Sequence, residues 1–278
     1  MISPQYGKAL VLGAGGLVGT AWLTGLATGL RREGIDLADA DLIVGTSAGA
    51  IVAAMLTTGR TLAEVETLPS TRAGRSGPPD LAAMGQAFAT LSDPTLEPDD
   101  KRRRAGRIAL TAEAPPEDGH LTGISSLVET EKWPDRPLLI TAVDAETGEP
   151  KVWDRDGEAT LVEAVASSSA FPGATAPITV DGRRYMDGAL RNGVNADLAA
   201  TAVTRVFIEP MAGRFPASGP GGVRIGPDAE ALTAFGPDLG NREAWTPAYH
   251  AGVRQAPQVA VVLRPVWDAA SRHSEQAQ

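Results

Sequence analysis

The stretch Asp41-Leu42-Ile43-Val44-Gly45-Thr46-Ser47-Ala48-Gly49-Ala50 decides how the rest of the chain is read. Asp41 to Val44 reads as a short buried strand, and the residues after Ser47, through Leu56, as a helix. Between them lies Gly45-Thr46-Ser47-Ala48-Gly49, a G-x-S-x-G. A serine on so sharp a strand-to-helix turn is held in a strained backbone, with Oγ at the strand's carboxyl end. Glycine is needed two residues to either side, because a Cβ there would collide with the adjoining strand and helix. The N–H groups that open the helix, from Ala48 onward, point the same way and suit a developing oxyanion. The plainer alternative is an ordinary strand-to-helix turn with a capping serine.

Upstream, Lys8 to Leu12 is a second short apolar strand, followed by Gly13-Ala14-Gly15-Gly16-Leu17-Val18-Gly19. Thr20 to Arg32 then has helical spacing, with Trp22, Leu23, Leu26 and Leu30 on one face. Strand, glycine turn and helix suggest a dinucleotide fingerprint, but Val18 stands where its last glycine belongs. No acidic residue closes a second strand at the required distance either. A phosphate-binding loop fails as well, for want of a following Lys-Ser or Lys-Thr. What remains is a run of backbone N–H groups beside a helix N-terminus, a shape that suits negative charge.

Composition narrows the function classes. The chain has 278 residues, 43% of them hydrophobic, enough for a substantial core. Its formal net charge of −9 argues against nucleic acid as the main partner. There is no cysteine, so disulfides and thiolate chemistry are excluded. The first residues lack a basic region followed by an apolar run of signal-peptide length, and no apolar stretch is long enough to span a bilayer. A cytoplasmic protein is expected. Neither an internal repeat nor a convincing linker divides the chain, which reads as one domain over 1–278. Its core covers about 8–211, with a helical insertion over about 61–135 and a C-terminal helical segment over about 227–270.

Along the remaining chain, Thr61 to Leu68 reads as a short helix with Thr61 and Glu64 at capping-box spacing. From Pro69 to Pro134, prolines punctuate amphipathic segments without a strand, a helical insertion with the character of a lid. Lys101-Arg102-Arg103-Arg104 with Arg107 reads as a solvated helix face balanced by Glu97, Asp99 and Asp100; the alternative is contact with a phospholipid headgroup. Strands are expected at Pro137 to Val143, Lys151 to Asp154 and Arg205 to Glu209. A helix is expected from Thr160 to Ala170, ending in the small residues Ser167-Ser168-Ser169-Ala170. Ile178 to Gly188 reads as a hairpin about Asp181-Gly182, leading towards a helix near 195–201. Met211 to Gly226 reads as loop. Asp228 to Phe235 and Thr246 to Trp267 read as helical, with Pro257 and Pro265 limiting continuity.

A serine nucleophile needs a base. The chain has three histidines: His120 in the insertion, His250 within a helical pattern and His273 in a polar tail. None sits at a strand-end loop. Asp187 ends a strand and is followed by Gly188, so its carboxylate projects at a loop with little cover; the plainer alternative is a turn aspartate. Asp144, Asp154 and Asp181 each have a cheaper explanation in a turn.

Ala14-Gly15-Gly16-Leu17-Val18-Gly19, Gly45-Thr46-Ser47-Ala48-Gly49 and Asp187-Gly188-Ala189, in that order, resemble the three signatures of the patatin-like phospholipases. Ala166 to Gly173 and the hairpin leading to Asp187 share the likeness, which covers roughly Lys8 to Met211. The resemblance implies a three-layer α/β/α fold with a mostly parallel central sheet. It also implies a Ser–Asp dyad without histidine: Ser47 as nucleophile, Asp187 as base. Backbone N–H groups of Gly15, Gly16 and Leu17, with Ala48, would hold the oxyanion, while Gly45, Gly49 and Gly188 shape the turns. Two departures stand out. Ala14 replaces the first glycine of the usual triple, and Val18 stands where the family typically has a basic residue. The implied activity is hydrolysis of lipid esters, with no cofactor and no metal; the implied partners are a lipid or ester substrate and, peripherally, a membrane. Acyl transfer from the same acyl-enzyme is the first alternative, and a catalytically weak lipid-binding regulator the second. A Ser–His–Asp hydrolase through His250 or His273 is the mechanistic runner-up.

Overall fold

A computed structural model describes residues 6–67, 77–213 and 219–276, with side chains through 268. The chain is an α/β protein, a mixed sheet with helices packed against it. It divides into two compact units, one of residues 1–68, 134–139 and 194–278, the other of 69–133 and 140–193.

In the first unit, β1 (Tyr6–Leu12) leads through the glycine turn into α1 (Gly16–Arg32), and β2 (Leu42–Gly45) through Ser47 into α2 (Ala48–Thr58). The helix α1 starts inside the glycine turn, four residues before the expected Thr20. The strand β3 (Leu138–Asp144) begins in this unit, where Ile43 N–H donates to Pro137 O at 3.1 Å, and continues into the second. β7 (Ala202–Ile208) pairs in parallel with β1, and β1 in parallel with β2. The register sets Leu12 opposite both Gly45 and Ile208, so three strands end level at their carboxyl edge. Loops that follow that edge are where an open parallel sheet builds its sites.

Strand alternation covers both faces of this sheet. Ala9, Val11, Leu42, Val44 and Phe207 pack with Val194, Ala196 and Ala199, from the segment that holds a 3-10 turn at Ala196–Ala199. β1 also lies against α2 and against α9 (Trp245–Gln276). Two expectations are corrected here. Thr61 starts a single 3-10 turn, Leu62–Val65, and its side chain makes no cap; Leu68, the expected end, lies outside the described residues. Within the expected 211–226 loop, of which 214–218 are likewise outside, Val223–Ile225 forms β8, parallel to β7. Three residues between Gly222 and Gly226 are too few to show a strand's period.

α9 also departs from the expectation: it is one helix of 32 residues that contains both Pro257 and Pro265. Each proline removes one intrahelical donor, and close packing on α1 outweighs that loss. Trp22 Nε1–H donates to Gln255 Oε1 at 3.0 Å in the buried seam, and Tyr249 Oη bonds Thr28 Oγ1 at 3.3 Å.

The second unit carries α3 (Leu81–Ser92), α4 (Pro98–Thr111) and α5 (Glu117–Val128), as the proline-punctuated insertion predicted. Its residues 69–76 are outside the described ones. There follow β4 (Pro150–Trp153), α6 (Leu161–Ser168), β5 (Ile178–Val180), β6 (Arg183–Asp187) and the short α7 (Ala189–Asn192). These strands pair antiparallel: β4 and β6 on β3, β5 on β6. Asp181 and Gly182 both take positive φ, 46° and 73°, as the hairpin reading requires. The helix expected near 195–201 is corrected: that stretch holds only the 3-10 turn after Asn195, and the nearest helix, α7, ends before it. α4 seats Ala105 and Ala109 against Val143, Ala145, Met186 and Leu190. Two of its basic residues are paired within the helix, Arg102 with Asp99 and Arg103 with Asp100 at 2.9 Å. No helix among the described residues is long and apolar enough to cross a membrane.

Candidate active site

Ser47 adopts φ 54° and ψ −117°, between the end of β2 and the first turn of α2. A β-carbon makes that region costly, about 1–3 kcal/mol, and such strain persists where the surroundings impose it. Here they do. A Cβ on Gly45 would come within 2.6 Å of Ala50 Cα, and one on Gly49 within 2.1 Å of the Leu12 carbonyl oxygen. The turn is closed by Thr46 N–H to Leu12 O at 3.0 Å, Gly49 N–H to Gly13 O at 3.1 Å and Ala50 N–H to Ser47 O at 2.9 Å. The Ser47 side chain makes no capping bond to its helix, so the plainer reading, a capping serine, does not describe this turn. Ser47 is 7% exposed.

The glycine turn lies at the same sheet edge. Gly16 has φ 63°, and a Cβ on Gly15 would come within 2.5 Å of Pro210 Cβ. Gly16 and Ala48 are the first residues of their helices, where N–H groups have no intrahelical acceptor. Among the described residues, no backbone acceptor takes the N–H of Gly15, Gly16 or Ala48. Leu17 differs from the expectation: its N–H donates to Leu239 O at 2.8 Å, and that of Val18 to the same oxygen at 3.2 Å. A donor already paired with a carbonyl is not presented to a substrate, so the candidate oxyanion donors narrow to Gly15, Gly16 and Ala48. Val18 itself is fully buried, a place that suits an aliphatic side chain and not a charged one.

In the second unit, Asp187 closes β6 and is 2% exposed. Its N–H donates to Ala170 O at 3.0 Å and that of Gly188 to Ser168 O at 3.1 Å, so the small residues at and just after the end of α6 hold the strand end. Its Oδ1 accepts the Ala189 N–H at 2.8 Å, which fixes the carboxylate's orientation. Gly188 is obligatory, since a Cβ there would come within 2.2 Å of the Thr141 carbonyl oxygen.

Two of the competing carboxylates are spent on structure. Asp144 accepts from the N–H groups of Glu146 and Thr147 at 2.9 and 2.8 Å and pairs with Arg183 at 2.8 Å. Asp154 accepts from Asp156 N–H in an exposed turn. Two of the histidines are likewise engaged. His120 Nε2 lies 2.9 Å from Ser169 Oγ and 3.2 Å from Ala166 O, while exposed His250 meets Glu66 at 2.7 Å. The side chain of His273 lies outside the described residues.

Asn195 escaped the sequence reading. It is fully buried with φ 58°, and its Nδ2–H donates to Thr46 Oγ1, beside Ser47, at 2.9 Å. Nothing in the local sequence marks that contact, because 149 residues separate the partners.

A family model described as patatin-like phospholipase matches residues 10–200. No curated protein matches the chain. Among solved structures, that of VipD from Legionella pneumophila is similar at 14% identity and a TM-score of 0.39, over 74% of this chain. The match spans half of that chain's own length, 50%.

Proposed function

This chain belongs to the patatin-like phospholipase family, and on that premise we propose that it is a serine acyl-ester hydrolase acting on lipid esters through a Ser47–Asp187 dyad. The observation that carries the reading is the backbone of Ser47, strained at φ 54° on a turn that two glycines and three closing hydrogen bonds enforce. A turn built only to start a helix has no need of that cost.

In the proposed reaction Ser47 Oγ attacks the acyl carbonyl carbon as its proton passes to the Asp187 carboxylate. The carbonyl π pair moves onto oxygen, where N–H groups of Gly15, Gly16 and Ala48 receive it. The C–O bond to the alcohol breaks as Asp187 returns the proton to the departing oxygen, leaving an acyl-enzyme. Water repeats the sequence and releases the carboxylic acid. The Ala189 N–H orients the Asp187 carboxylate, which supports a direct role for it, and the proposed dyad uses no histidine.

Hydrolysis of a p-nitrophenyl acyl ester and labelling by a fluorophosphonate test this. Ser47→Ala and Asp187→Asn should each lower kcat by at least ~10⁴-fold, and Ser47→Ala should take no label. His250→Ala with His273→Ala should retain full activity. Wild-type rates in either dyad variant sink the proposal, and loss of activity in the histidine variant replaces the dyad with a triad.

A further inference from the structure

We infer that Asn195 is a positioning residue for the nucleophile, acting through the hydroxyl of Thr46. The inference rests on Ser47 being the nucleophile. Asn195 and Thr46 are both fully buried, and the bond from Nδ2 to Oγ1 is 2.9 Å.

Two features separate this contact from ordinary core satisfaction. Asn195 stands at the N-cap of the 3-10 turn Ala196–Ala199, where an asparagine side chain commonly caps, yet its side chain makes no cap. It also holds a left-handed backbone, φ 58°, that a non-glycine residue seldom adopts. Its Nδ2–H donates instead to the residue before Ser47.

The strained Ser47 needs its neighbours fixed on both sides. After it, Ser47 O accepts from Ala50 N–H, and Gly49 is locked against Leu12. Before it, Thr46 is held by its N–H to Leu12 O at 3.0 Å, by its O from Gly49 N–H at 2.9 Å, and by Asn195. The first two bonds fix the path of the backbone. The third comes from a separate segment and pins the side chain, opposing rotation of the 46–47 peptide towards a relaxed φ. A displacement of about 1 Å in a reacting group lowers rates by about 10²-fold, so loss of this anchor should reach the chemistry and leave binding alone.

Fluorophosphonate labelling, scored per folded molecule, and ester kinetics form the test. Asn195→Gly keeps the left-handed backbone and removes the amide; Thr46→Val keeps the shape and removes the hydroxyl. Each should slow labelling and kcat by about 10- to 100-fold with KM unchanged. The double variant should be no slower than the worse single, and Thr46→Ser should recover most of the rate. Unchanged labelling rates in the folded singles, strictly multiplicative effects in the double, or a change in KM alone overturn the inference while Ser47 stays labelled. A wild-type chain that takes no label overturns the hydrolase reading, and the inference with it.

Discussion

At the scale of one residue, Ser47 trades stability for placement. Its φ of 54° is imposed by contacts that leave Gly45 and Gly49 no room for a β-carbon. Glycine adopts that backbone freely, so Ser47→Gly should be more stable than Ser47→Ala by about 1 kcal/mol. Urea midpoints of the two inactive variants check this, and equal midpoints would mean the turn is not strained. The glycines around Ser47 were legible in the sequence because steric exclusion leaves a spacing behind. Leu239 was not. Its carbonyl closes the Leu17 and Val18 N–H groups by backbone alone, from more than 220 residues away, and any side chain would supply the same oxygen. Asn195 was hidden for a similar reason: an asparagine before a short turn looks like a cap, and only the fold shows its amide committed to Thr46.

At the scale of elements, α1 is fixed by how closely α9 approaches it. A Cβ on Gly25 would lie 2.0 Å from the Tyr249 carbonyl oxygen, one on Gly29 2.4 Å from Ala256 Cβ, and one on Gly252 2.2 Å from the Trp22 carbonyl oxygen. Three glycines let two backbones meet, and α1 carries the glycine turn at its start. Gly25→Ala must therefore separate the helices and should cost about 1–3 kcal/mol. Gly123, in α5, offers the contrast: its Cβ would meet nothing within 4 Å, so Gly123→Ala should gain about 1 kcal/mol. Thermal denaturation of the two variants reads both signs; a neutral Gly25→Ala would refute the close crossing. The strands β1, β2, β3 and β7 were legible as apolar runs, and the helical insertion from its prolines. The continuity of α9 was not, because proline's local penalty is visible in sequence and the α1 surface that offsets it is not. Thr160 and Glu163 do form a capping box at the start of α6, a signal the sequence displayed and the reading passed over.

At the scale of the whole molecule, the family match ends at residue 200, before β7, β8, α8 (Ala229–Phe235) and α9 begin. Those elements are nevertheless built into the first unit: β7 is the parallel neighbour of β1, α9 packs along α1, and Leu239 reaches the glycine turn. The segment outside the family pattern thus shapes the candidate site. Asp228 is the joint that fixes it, capping α8 through the Ala231 N–H at 2.8 Å and gripping Arg254 of α9 at 2.8 Å. The Arg254 guanidinium, foremost, with the N–H groups of Ala231 and Glu230, holds the Asp228 carboxyl below the ordinary value of 3.8. A carboxyl depressed in the folded state binds protons more readily once unfolded. Its stabilisation is therefore complete above the unfolded value and is lost as pH falls through the folded one. Asp228→Asn should lower the urea midpoint at neutral pH, and the deficit should shrink steadily below pH ~4 until the variant and the wild type unfold together. A deficit that stays constant down to the acid limit would show that Asp228 acts through shape alone, and that α8 is joined to α9 without help from its charge.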